Sequence, residues 1–144
     1  KLTPLMWACA GGHFDIAEYL IEEKDADIHA KDKFGRTALV YAVWNGNAKI
    51  AALLLDYGIT WEVWDLSDNS PMHYACAYGF KECVEVLIKA KSEINAVNSW
   101  KLSPLNIAMM KNHTHIVRRM LEEEGIDVNC IDDKGRTLLC LAMN

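Results

Sequence analysis

Short apolar runs alternate with polar turns along this chain, and the alternation has a fixed step. Thr3-Pro4-Leu5-Met6 returns as Thr37-Ala38-Leu39-Val40, Ser70-Pro71-Met72-His73, Ser103-Pro104-Leu105-Asn106 and Thr137-Leu138-Leu139-Cys140. The steps are 34, 33, 33 and 34 residues. A second apolar stripe follows each run. Ile16, Ala17, Leu20 and Ile21 lie at i, i+1, i+4 and i+5, as do Cys83, Val84, Leu87 and Ile88. That spacing predicts one buried face of a helix. Each unit therefore predicts a short helix followed by a second helix, and a period of this size marks a stack of such units.

The signals between the runs recur in the same order. A polar residue opens each unit: Asp32, Asp65, Asn98 or Asp132. Turn residues follow, as in Lys33-Phe34-Gly35-Arg36 and Asp133-Lys134-Gly135-Arg136. Thr or Ser then stands where a helix N-cap would. Pro4, Pro71 and Pro104 fall at the first helical position, where a missing N–H costs nothing. Gly12, Gly46, Gly79 and Asn112 are suited to end the first helix in the left-handed conformation. Each second helix leads into an extended string such as Asp27-Ile28-His29-Ala30 or Glu93-Ile94-Asn95-Ala96.

This arrangement resembles the ankyrin repeat, which has a period of 33 residues, a turn plus two helices and the string T-P-L-H-x-A. The match is closest at Ser70-Pro71-Met72-His73-Tyr74-Ala75. The resemblance covers the whole chain and implies an all-α repeat, a solenoid of helix-turn-helix units with β-hairpin turns. The repeats run approximately 1–31, 32–64, 65–97 and 98–131, with a partial fifth at 132–144. Departures are local. Asp68 and Lys101 take the turn-glycine slot, and Trp61 stands where a smaller aliphatic is usual. Single insertions follow the second helix near Lys24 and in Glu122-Glu123-Glu124.

Length and composition fit one domain with a strip-like core between neighbouring repeats. Trp7, Tyr41, Tyr74, Ile107 and Leu141 share one register and are expected to be stacking residues of that core. Both ends read as cut, since Leu139, Leu141 and Met143 offer no polar cap. The formal charge of −5 argues against nucleic acid as the main partner. Glu22-Glu23 and Glu122-Glu123-Glu124 read as a solvated outer face. No apolar run approaches the roughly 20 residues of a membrane span in this stretch.

No constellation nominates an active site. Cys9 and Cys76 occupy a small-residue slot, Cys83 an aliphatic one and Cys130 an alanine one; with Cys140 they total five and form no C-x-x-C. Unpaired buried thiols favour a reducing compartment, cytosol or nucleus. His13, His113 and His73 sit at helix ends and in the repeat string, and His113-x-His115 is expected to diverge on a helix start. The hydroxyls Thr3, Thr37, Ser70, Ser103 and Thr137 read as caps, and no P-loop, G-x-S-x-G or dinucleotide fingerprint is present. No catalytic residue, cofactor site or metal site is expected. Leu87 with Glu93-Ile94-Asn95, and Leu121 with Asp127-Val128-Asn129, resemble the pattern taken by an asparaginyl hydroxylase of ankyrin repeats, but the repeat consensus itself builds it.

The resemblance places partner binding on the turn tips and the exposed side of the first helices, which line a concave groove. On this chain the candidates are Phe34, Arg36, Trp44, Asn45, Trp64, Leu66, Asn69, Tyr78, Trp100, Met110 and Lys111. Trp44 and Tyr78 stand out because Ala10, Met110, Asn45 and Lys111 show their slots need not be apolar. Aromatic residues beside arginine are what interface hot spots look like. The expected function is binding of a partner protein or peptide, or of another domain of the same chain. The alternatives are a targeting domain of a larger enzyme or channel (a kinase, ubiquitin ligase or ADP-ribosyltransferase among them) and a structural spacer.

Overall fold

The computed structural model describes residues 1–132 and 134–137. The expectations placed on Asp133, Leu138, Leu139, Cys140, Leu141 and Met143 lie outside those residues. Among the described residues the helices come in four pairs: α1 (Pro4–Gly11) with α2 (Phe14–Glu22), α3 (Ala38–Trp44) with α4 (Ala48–Asp56), α5 (Pro71–Tyr78) with α6 (Lys81–Lys89), and α7 (Pro104–Met110) with α8 (Thr114–Leu121). First helices pack on first helices and second on second, so the pairs form two parallel rows. The first row is more closely packed than the second.

Each pair is closed by a left-handed residue at the expected place: Gly12 at φ 74°, Gly46 at 75°, Gly79 at 81° and Asn112 at 57°. At Gly79 a side chain would also strike the His113 ring at 2.8 Å, so conformation and close approach both select glycine. Asp68 and Lys101 adopt φ 58° and 57° in the slot where Gly35 sits at 79°. The repeat imposes the backbone even where the residue type resists it.

The caps are less uniform than expected. Thr3 and Ser103 hydroxyls accept the amides of Met6 and Asn106. Thr37 makes no such bond, and its buried hydroxyl has no partner. Instead of a hydroxyl cap alone, Ser70 offers both its amide and its hydroxyl to His73 Nδ1. The other ring nitrogen of His73 bonds the carbonyl of Leu102 in the next repeat at 3.0 Å. Burial holds this histidine below its ordinary pKa, so the ring stays neutral.

The core runs between the rows. Leu54, Leu87 and Met120 share one register and are wholly buried, as are Ala42, Ala75 and Ala108 on the first row. Burying each large side chain contributes roughly 1.5–3 kcal/mol, and the small residues let first helices approach. The stacking expectation needs correction at its edges. Tyr41 is buried, but Tyr74 and Ile107 are half-buried and Trp7 is 63% exposed. Nothing among the described residues packs on the free face of α1.

Side chains also bridge the repeats. Asn47 Nδ2 donates to the carbonyl of Cys9, and His113 Nε2 bonds that of Ala77. His115 bonds Gly79 O, so the two histidines reach back to one helix end instead of diverging. Their rings lie 6.1 Å apart. The acidic outer face is likewise partly engaged. Glu22 accepts the Tyr57 hydroxyl, and Arg119 donates to Glu85 at 2.8 Å and Glu123 at 2.5 Å. Cys9, Cys76 and Cys83 are buried free thiols, and burial pushes each well above its ordinary pKa, Cys9 and Cys83 to about 12.

Candidate protein-binding face

Each turn that opens a repeat at Asp32, Asp65, Asn98 or Asp132 is built around one side-chain carboxylate or amide oxygen. Asp32 Oδ1 accepts the amides of Phe34 and Arg36 at 2.8 and 2.9 Å. Asp65 Oδ1 accepts Ser67 and Asn69, Asn98 Oδ1 accepts Trp100 and Leu102, and Asp132 Oδ1 accepts Lys134 and Arg136. An acceptor two and four residues ahead of its donors closes the turn without strands. Among the described residues the sole β-bridge joins Ile131 and Thr137.

The second side-chain atom of the opening residue shapes the surface. Asp32 Oδ2 receives Arg36 Nε at 2.9 Å, its terminal nitrogen at 2.7 Å and the Tyr41 hydroxyl at 2.7 Å. Burial alone would raise this carboxyl, but the bonds from Arg36 and Tyr41 outweigh it and hold it near 2. The same burial and carboxylate push Tyr41 up to about 12. Asp65 Oδ2 receives Tyr74 at 2.5 Å and Asn69 Nδ2 at 3.2 Å. Against its burial, these bonds lower its pKa, while burial and the carboxylate raise that of Tyr74.

The fixed arginine then organises the aromatic residues. Its guanidinium carbon sits 4.6 Å from the Phe34 ring centroid, 5.0 Å from Tyr41 and 4.9 Å from Trp44. Trp44 lies 6.0 Å from Tyr41, 5.7 Å from Tyr74 and 6.2 Å from Tyr78, and Tyr78 stacks on Phe80 at 6.4 Å. These rings form a ladder across the second and third repeats, tilted at Trp44 and stacked at Tyr78–Phe80, both arrangements that suit their quadrupoles. Phe34, Arg36 and Leu66 also wall a concavity of about 160 Å³ with Asp65, Ser67 and Tyr74.

Four of the expected residues, Phe34, Arg36, Trp44 and Tyr78, are thus drawn together. Trp64, Trp100 and Met110 are 43%, 51% and 48% exposed, and Leu66 reaches 76%. Lys111 and Asn45 are exposed as well, the Asn45 amide donating to Tyr41 O. Trp44 is half-buried against the core, more than its slot suggested. Asn69 is tied up on both sides, since it also accepts Asn98 Nδ2 at 2.9 Å. The ladder also takes in Phe80 and two residues expected only as core, Tyr41 and Tyr74. The recurrence of tyrosine nine residues after aspartate, Asp32/Tyr41 and Asp65/Tyr74, was the available signal.

A family profile described as ankyrin repeats in three copies matches residues 1–65, 27–98 and 72–144. The chain belongs to the ankyrin repeat family. Among its relatives, the Caenorhabditis elegans poly(ADP-ribose) polymerase tankyrase is 41% identical over 143 residues, 96% of this chain and 6% of that protein. Human inversin is 27% identical over 144 residues, covering 99% of this chain and 13% of inversin. The Drosophila melanogaster transient receptor potential channel pyrexia is 33% identical over 119 residues, 82% of this chain and 12% of the channel. The chain thus spans a small fraction of the length of these curated relatives. Ankyrin repeats are in general protein-interaction modules, and no helix among the described residues is long and apolar enough to cross a membrane.

Proposed function

We propose that this ankyrin module receives a partner protein or peptide along its first-helix face, centred on the second to fourth repeats. The observation that carries the reading is the ladder Phe34–Arg36–Trp44–Tyr78, continued by exposed Leu66, Trp64, Trp100 and Met110. An arginine pinned by Asp32 and rings held by one another lose little freedom when a partner arrives. A spacer would have no use for an aromatic row of this kind. The small share of each relative that the chain spans supports a second reading, in which the same face targets a larger enzyme or channel. Free buried thiols suit a cytosolic or nuclear setting.

The test is affinity capture with wild-type chain, Tyr78→Ala, and Tyr78→Ala with Trp44→Ala, each first checked for helical circular dichroism. The expected result is a partner held by the wild type and weakened by about 2 kcal/mol or more in the double variant. Equal retention by a folded double variant would move the site off this face.

A further inference from the structure

The row of second helices is bridged by side chains at its first and third interfaces and open at the second. Between α2 and α4 the Tyr57 hydroxyl donates to Glu22. Between α6 and α8 Arg119 donates to Glu85 at 2.8 Å. In the register of the repeat, the α4–α6 positions that match Glu22 and Tyr57 are Asp56 and Ala90. Those that match Glu85 and Arg119 are Ala52 and Val86. Alanine and valine cannot reach across. What remains is a concavity of about 560 Å³ walled by Ala52, Leu55, Val86, Ala90, Ile59 and Trp61. Its size is that of a ligand site. Two further departures from the repeat fall on the same spot. Trp61 stands where the other repeats have Ile28, Ile94 and Val128, and it packs half-buried against the core. Lys89 stands where they have Glu22, Asp56 and Glu122. Asp56 and Lys89 both line the concavity. Both are exposed, and neither enters a side-chain hydrogen bond or ion pair among the described residues.

We propose that this cleft between α4 and α6 is a second binding site, separate from the aromatic ladder, for an extended segment of a partner protein that carries one large aliphatic residue between a basic and an acidic one. The aliphatic side chain enters between Ala52 and Ala90 and lies against the Trp61 ring. The basic residue pairs with Asp56 and the acidic one with Lys89. Charge and spacing select this occupant. Asp56 and Lys89 are opposite in sign and hold one register on neighbouring helices, whose axes lie roughly 8–10 Å apart. Alternate residues of an extended chain face one way and lie about 6.6 Å apart. Three alternate residues therefore meet both charges and the apolar wall at once. A ligand with a single charge would leave Asp56 or Lys89 unanswered. Complementarity of this kind fixes register and orientation more than affinity.

The test is an NMR titration of the chain with the capped peptide Lys-Ser-Leu-Ser-Glu. The Trp61 indole N–H and the Ala52 and Ala90 signals should shift together and saturably, while those of Trp44 and Tyr78 stay still. Serine in place of the peptide's leucine should weaken binding by about tenfold or more. Asp56→Asn and Lys89→Met should each weaken it by up to about fivefold. Ala52→Glu with Val86→Arg installs the bridge that Glu85 and Arg119 make, and should abolish the shifts in a chain of unchanged helical circular dichroism. Ala90→Tyr, which offers Asp56 the hydroxyl that Tyr57 offers Glu22, should abolish them independently. A peptide that leaves Trp61 unmoved, or that binds the closed variants as tightly as the wild type, would overturn the proposal. So would self-association of the wild type through Trp61 that the closed variants lose, which would give the cleft to a second copy of the chain.

Discussion

The second and fourth turns start from nearly the same residue and end as different surfaces. Asp32 and Asn98 each use Oδ1 to accept amides two and four residues on. They differ by the other atom. Asp32 Oδ2 gathers Arg36 and Tyr41 within its own repeat and so raises a cationic, aromatic platform. Asn98 Nδ2 instead donates backward to Asn69, tying the fourth turn to the third and leaving Trp100 exposed without an arginine beneath it. One oxygen makes the turn; its companion decides whether the turn builds surface or joins repeats.

The strongest way to break this comparison is to remove both functions at once. Asp32→Ala leaves two turn amides, a tyrosine hydroxyl and a guanidinium without their acceptor, and should lower unfolding free energy by about 3 kcal/mol in urea denaturation. Asp32→Asn keeps the turn oxygen and should cost about 1 kcal/mol. Equal losses for the two variants would mean that the oxygens are not separable.

Acid probes the same groups in sequence. His73 is held below its ordinary pKa, so below about pH 6.5 the unfolded chain takes a proton that the folded chain refuses. Stability should therefore begin to fall as pH drops through that value. Asp32 and Asp65 are depressed carboxylates, so the stability they confer is present above about pH 4 and is lost as pH falls towards 2. Urea midpoints at pH 7.5, 5.5 and 3 should show both falls, the first of them absent in His73→Gln. A flat profile from 7.5 to 5.5 in the wild type would contradict the neutral buried ring.

A smaller effect separates the third and fourth repeats. His73 spans to Leu102 O, whereas Asn106, in the same register, is buried with its Nδ2 unpartnered. Asparagine is too short to make the same reach. Asn106→His should recover a bond to the following hairpin and raise stability by about 1 kcal/mol, read as a higher thermal midpoint.

Backbone features were the most legible in the sequence. The left-handed ends at Gly12, Gly46, Gly79 and Asn112 follow from residue type and period. Asp68 and Lys101 could be placed by period alone, against their own preference. Features that depend on a neighbouring repeat were harder to read. Tyr41 and Tyr74 look like core aromatics until the carboxylate nine residues back is seen to take their hydroxyls. Trp7 shares their register but is 63% exposed. Of the candidate face, the identity of the exposed rings was readable, while the arginine that holds three of them was read only as a charge beside them.

Hydrogen exchange of Asp32→Asn, followed residue by residue by NMR, tests the division of labour most directly. The backbone amides of Phe34 and Arg36 should remain protected while the Arg36 Nε–H, protected in the wild type, exchanges freely. If turn amides and guanidinium lose protection together, turn and surface are one structure and the aromatic platform cannot vary independently of the fold.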